Sequence, residues 1–289
     1  MVMKEIVFSL FLILGIGQLA AHPGIGIVMD SQGNVYYTDL AQVWKITPSG
    51  KHVLAVESVH THELYIDEQD NLYGEHIWYE GEATDQWGYY IWCLSRIGEL
   101  SKTIQDTKGF PVNNTLRRDR AGTMYWAEKW GEQEILKRRT TKGVIQAHSS
   151  HRFTDIRWLH VPGKAGEVYV VDYLQLKKVE PNGKVRLLSD KLKEGRSVLN
   201  WVRDHHYVMG VWSDREKNTY VALYGARKVK KFKPDGTSET IYKSSKGWAP
   251  SGGLIGKDGS LWVMEFSFKN ETRIKRIDRN GEVHCFGKK

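Results

Sequence analysis

The chain has 289 residues, with 42 Lys and Arg against 34 Asp and Glu for a formal net charge of +8. Two cysteines, Cys93 and Cys285, lie far apart; they leave room for one bridge at most and exclude a disulfide framework, so a packed core must hold the chain. The sequence carries no Walker loop, GxSxG elbow, CxxC, HExxH or CxxCH, which excludes the chemistries those motifs bring.

The N-terminus reads MVMKEIVFSLFLILGIGQLAAHPG. One lysine, an apolar run from Ile6 to Ile16 and small residues at Ala20 and Ala21 form the three regions of a secretory signal peptide. The run is too short for the roughly 20 apolar residues a membrane span needs. The expectation is a signal over residues 1–21, a mature chain from His22, and a protein that is secreted, or periplasmic if bacterial. Removing the segment leaves the charge unchanged, because Lys4 and Glu5 cancel. The basic excess is spread along strands such as RKVKKFKPDG. For an exported monomer that points to an acidic glycan, an acidic surface or a protein partner rather than nucleic acid.

From residue 25 onward one line recurs six times: a short apolar strand, an Asp/Gly/Asn turn, a β-rich strand, a variable loop, a basic-apolar strand and a second Gly turn. The first copy is GIVMDSQGNVYYTDLAQVWKITPSGKHVLAV and the last GGLIGKDGSLWVMEFSFKNETRIKRIDRNGEVHCF. The closing turns put glycine at Gly50, Gly98, Gly143, Gly183, Gly236 and Gly281, at intervals of roughly 40 to 53 residues. Four short strands per copy at this period predict an all-β fold, a six-bladed β-propeller of four-stranded blades forming a single domain over residues 22–289. Tyr36, Tyr73, Tyr125, Tyr169, Tyr220 and Trp262 share one register position in the second strands and are expected in the core between blades.

The stretches GIGIVMDSQGNVYYTDL and GGLIGKDGSLWVMEF resemble the repeat of NHL propellers and of the related gluconolactonase, or senescence-marker-protein, family. The resemblance covers the whole mature chain. It implies that the loops into the first strand and out of the second share one face of the ring, around the mouth of the central channel. The position leading into the first strand reads Ile25, His62, Asn114, Asp155, Met209 and Ser251 around the ring. The position ending the second strand reads Asp39, His76, Glu128, Asp172, Leu223 and Glu265.

Blades 2 to 4 thus gather His62, His76, Asn114 and Asp155 on one side of the channel. Two chemistries suit them. His62, His76 and Asp155 form a mixed N/O set for a divalent metal such as Zn²⁺, Mn²⁺ or Ca²⁺. Alternatively, His62 or His76 acts as a catalytic base beside Asn114. The family holds its metal with a Glu, an Asn and an Asp, and the matching positions here carry Ile25, Asp155 and Met209. Ile25 offers no donor and Met209 only a soft thioether, which puts the family's standard mechanism in doubt. The family's substrate-contacting Asn matches Asn114.

Eleven tryptophans point elsewhere. Trp78 and Trp87 fall in the blade 2 insertion IWYEGEATDQWGYY, and Trp130 in the equivalent loop of blade 3. Flat rings with a polar handle suit sugars. With Glu128, Asp172 and Glu265 they form the candidate ligand-binding set for a small molecule or glycan. Buried carboxylates at strand ends also serve as acceptors for backbone N–H groups, and tryptophans also close loops. Three readings stand: a ligand-binding propeller, a divergent metal-dependent hydrolase, lactonase or lyase, and a protein-interaction scaffold.

Overall fold

The computed structural model describes residues 23–111, 115–163, 166–194 and 206–287. The segment 1–21 and Asn114 lie outside the described residues. Six antiparallel sheets follow one another along the chain, each in strict up-and-down order. Blade 1 is built from Ile27–Met29, Val35–Thr38, Val43–Ile46 and His52–Val56. Blade 2 comprises Leu64–Ile66, Leu72–Tyr79, Trp87–Leu94 and Leu100–Lys108. Blade 3 keeps Met124–Trp130, Gln133–Arg139 and Ile145–Ala147 as a three-stranded sheet, its inner strand reduced to one bridge between Arg118 and Met124. Blades 4, 5 and 6 each have four strands and start at Ile156–His160, Gly210–Ser213 and Trp248–Ile255.

Six apolar clusters, one between each pair of neighbouring blades, make the ring. The largest joins blade 6 to blade 1 through Trp262, Met264, Phe266 and Ile274 against Ile27, Val35, Tyr37 and Ile46. Because strands alternate their side chains, each inner position feeds one of two neighbouring interfaces. The register tyrosines do this and more. Asp67 accepts from the Asn71 backbone and amide at 2.8 and 2.9 Å and from the Tyr73 hydroxyl at 3.0 Å. Asp214 repeats the arrangement with Asn218 and Tyr220, and Asp119 with Thr123 and Tyr125. Burial first, then the Asp30 carboxylate, pushes the Tyr36 hydroxyl up to about 12, so these phenols remain donors.

The two halves of the ring close differently. In blades 1, 5 and 6 the same layer of the inner strand holds Gly26, Gly210 and Gly252, opposite Thr38, Ala222 and Met264. A Cβ at Gly210 would lie 2.4 Å from the Ser251 carbonyl oxygen, at Gly252 2.6 Å from that of Ile25, and at Gly26 2.9 Å from the Leu64 nitrogen. Backbone meets backbone there. On the other side Arg117 bridges three blades: Nε donates to Glu63 at 3.1 Å, and the remaining nitrogens reach Glu63 and the Leu159 carbonyl. Trp158 continues the seam, its indole N–H donating to the Val208 carbonyl at 2.6 Å.

Cys93 and Cys285 are both free thiols, on blades 2 and 6. Among the described residues, ring closure therefore rests on noncovalent contacts, packing above all, with Lys257 Nζ donating to the Ser31 carbonyl across the seam. Replacing Gly252 with alanine forces a methyl into the blade 6 to blade 1 seam, and overpacking of this kind costs about 1–3 kcal/mol. Urea unfolding should show that loss, and a variant as stable as the parent would mean the seam yields freely.

Candidate functional site

Blade 2 projects beyond the ring. Its second and third strands run to Tyr79 and from Trp87, so the insertion is a long hairpin rather than the loop expected, with Trp78 in a strand. Two glycines set its geometry. Gly74 pairs with Trp92 and Gly88 with Trp78; a Cβ on either glycine would fall 2.1–2.2 Å from the indole that covers it. Trp78 therefore lies flat over its partner strand as part of the hairpin. Between the two indoles, His76 stacks on Tyr90 at 4.8 Å, with Lys102 Nζ 4.0 Å from the far ring.

His76 Nδ1 accepts the His60 N–H at 2.9 Å, which leaves Nε2 for solvent or a ligand. Burial, then Lys102, lowers its pKa. His60 is lowered by burial, then by His62 and His76, and its ring meets that of His62 at 4.7 Å. On the opposite face of the strand lies Glu75, 4% exposed. Its Oε1 accepts the N–H groups of His62 at 2.6 Å and Glu63 at 3.1 Å and sits 3.6 Å from His62 Nδ1. Its Oε2 is buried without a hydrogen-bond partner. Glu75 is not one of the two channel-facing register positions, although the sequence places it beside His76. The signal was strand alternation, which puts the two on different faces.

Asp155 does not join the histidines. A bulge between Ile156 and Trp158 sets Ile156 opposite Asp172, and the Asp155 carboxylate pairs with Arg157. A second bulge sets Pro250, not Ser251, opposite Glu265. In blade 6 the added residue alone takes Ser251 off that position, whereas in blade 4 Asp155 precedes the residue that pairs with Asp172. Consequently His62, His76 and Asp155 are not within ligand distance as a set. Among the described residues, the group of three His, Cys or carboxylate side chains with ligand atoms within 4.8 Å of one another is Asp278, Glu282 and His284.

The strand-end carboxylates are largely engaged. Asp172, 1% exposed, accepts from the Thr154 and Asp155 backbones and holds Lys177 at 2.5 Å. Glu265, fully buried, accepts from the Tyr242 hydroxyl at 2.9 Å and Arg273 Nε at 2.6 Å. Asp39 accepts from Ala41, Gln42 and the Trp44 indole. Glu128 lies 3.2 Å from Lys137. At the family's metal positions, Ile25 and Met209 pack with Trp158 into the blade 6 to blade 1 core, and this donor set does not fit a divalent cation. The central cavity, about 1230 Å³, is lined instead by inner strands and by turns on the opposite face, such as Asp67, Arg120 and Asp214.

What the hairpin exposes is aromatic. Tyr79, Trp87 and Phe110 are 37, 38 and 52% exposed. Trp87 lies 4.9 Å from Tyr79 and 5.2 Å from Phe110, so the three rings form one ledge. The Tyr79 hydroxyl donates to Asp85 at 3.2 Å. Trp130, more exposed still, carries Arg152 over its ring at 5.1 Å.

Histidine burial makes stability depend on pH. His60, His76, His148 and His151 all have folded pKa values below the usual 6.5, with burial the first cause. The unfolded chain therefore takes up protons first as pH falls. Their contribution is whole above about pH 6.5 and shrinks as pH drops through 6.5 towards the lower folded values. Urea midpoints should decline between pH 7.5 and 5; a flat profile would contradict the burial of these rings.

No family model matches the chain, and no curated protein does. Solved structures do. A gluconolactonase from Xanthomonas campestris is 13% identical at a TM-score of 0.54, over 89% of this chain and 83% of that one. Regucalcin, a calcium-binding protein from Agrobacterium tumefaciens, is 13% identical at 0.52 over 84% and 81%. A catalytically inactive histidine-to-alanine virginiamycin B lyase from Staphylococcus aureus, with quinupristin, is 12% identical at 0.50 over 92% and 84%. At this identity the likeness is one of fold: the chain is a six-bladed β-propeller, an architecture it shares with these solved structures.

Proposed function

We infer that the protein is exported through residues 1–21 and binds a glycan on the blade 2 side of its loop face. The observation that carries this reading is the exposed ledge of Tyr79, Trp87 and Phe110. Rings in contact, open on one side, give the apolar faces of a sugar a platform. Asp85, on the Tyr79 hydroxyl, supplies an acceptor for sugar hydroxyls at its edge. Trp78 stiffens the same hairpin by covering Gly88, and Glu128 and Trp130, on the second strand of blade 3, belong to the same proposed ligand-binding set. A glycan array should give a defined set of ligands. The double variant Trp87→Ala with Phe110→Ala should bind them about tenfold more weakly, from roughly 0.5–1.5 kcal/mol per ring. Equal binding by parent and variant would remove the ledge from the account.

A second reading is hydrolysis or β-elimination, favoured by Glu75 and His62. The buried carboxylate faces His62 Nδ1 at 3.6 Å, which leaves Nε2 to take a proton from a bound substrate while Glu75 stabilises the imidazolium. That an inactive lyase of the same fold is a histidine-to-alanine variant fits the assignment. With Ile25 and Met209 at the metal positions, no step passes through a metal held there. A panel of lactones, esters and cyclic depsipeptides tests this reading. Any turnover should fall at least a hundredfold in His62→Ala, within the range typical of general-base catalysis, and survive the loss of Trp87 and Phe110. Turnover unchanged in His62→Ala would exclude the dyad.

A further inference from the structure

We propose that the hairpin closing blade 6 carries a binding site for a divalent transition cation of the Zn²⁺ class, formed by Asp278, Glu282 and His284. The strand Thr272–Ile277 turns at Gly281 and returns as Val283–Gly287. Arg276 pairs with His284 and Ile277 with Val283, while the Asp278 N–H donates to the Glu282 carbonyl at 2.9 Å. Alternation along the two strands then puts Arg276, Asp278, Glu282 and His284 on one face. Their donor atoms converge: His284 Nε2 lies 3.1 Å from Asp278 Oδ2 and 3.5 Å from Glu282 Oε1. A tetrahedral ion with bonds of about 2.0–2.1 Å needs donors about 3.4 Å apart. Both separations from His284 are close to this, and all three donors lie within 4.8 Å of one another, within reach of small side-chain adjustments.

The chemistry selects the ion. One imidazole nitrogen with two carboxylates suits zinc and its neighbours, whereas calcium prefers six or more oxygens. The site also has a fixed outer partner. Arg276 Nε faces Asp278 Oδ1 at 2.8 Å and its Nη2 holds Asp258 at 3.0 Å, orienting the Asp278 carboxylate with Oδ2 towards the histidine. Two carboxylates against one guanidinium leave the pocket with net negative charge. Glu282 is 62% and His284 37% exposed, which gives the ion a direct route in and leaves a fourth position to water. A bound ion would clip the last strand of the chain onto its blade, and binding to the folded form alone raises stability.

Titration of the purified protein with Zn²⁺ against a chromophoric chelator counts the sites. The His284→Ala variant should take up one equivalent fewer. Glu282→Gln should weaken that same equivalent about tenfold or more, in line with the loss of a ligand partner. Zn²⁺ should raise the melting temperature of the parent by an increment that His284→Ala lacks, and Ca²⁺ at equal concentration should not compete. Because both side chains are on the surface, metal-free melting temperatures of parent and variants should coincide, which separates binding from folding. Identical Zn²⁺ stoichiometry and affinity in parent and His284→Ala, or displacement of the ion by equimolar Ca²⁺, would overturn the assignment.

Discussion

The closeness of the inner strands at Gly26, Gly210 and Gly252 is the constraint on which the rest of the molecule depends. Where those glycines stand, neighbouring inner strands touch backbone to backbone. Blades 2 to 4 do not repeat this, and the gap is spanned by Glu63, Arg117 and Trp158. A ring that is tight on one side and side-chain-bridged on the other has no need of a shared strand at its closure. On the bridged side Trp158 also packs with Ile25 and Met209, which makes this part of the ring apolar.

A propeller mouth is the place where loops from all blades converge, yet here its centre is apolar and its carboxylates are engaged by backbone N–H groups, Lys177 and Arg273. The groups left open to solvent lie to one side, on the blade whose strands outgrow the ring. Blade 2 can extend because two tryptophans fill the spaces over Gly74 and Gly88; without that cover, bare backbone on both strands would weaken the hairpin. The same packing holds His76 in place and directs Glu75 to the other face, towards His62.

The sequence carried the architecture because the fold is repetitive: six tyrosine or tryptophan positions at one register, each paired with a turn carboxylate or hydroxyl, are visible by eye. The site was less legible, for reasons that are local. A single inserted residue in blade 6 moved Ser251 off the position its spacing implied, and in blade 4 the residue opposite Asp172 is Ile156 rather than Asp155; a bulge leaves no mark in composition. Nor does a sequence show that Trp78 will lie on Gly88 while Trp87 stays exposed, since that follows from cross-strand register. The importance of Glu75 came only with its unpartnered oxygen. Asp172 ends its strand, whereas Glu265 lies inside Leu261–Ser267; the cations that neutralise them come from neighbouring strands that the repeat pattern does not align.

That no strand is exchanged at the closure among the described residues has a topological consequence. Each described blade is one uninterrupted piece of chain, and the seam between blades 6 and 1 is of the same physical kind as the seam between blades 5 and 6. The circle therefore has no privileged starting point. A chain opened between any two blades, with residue 287 joined to residue 23 by a linker, has the same contacts available to it. The order in which the blades are synthesised becomes a matter of folding kinetics, and the finished ring keeps no record of it.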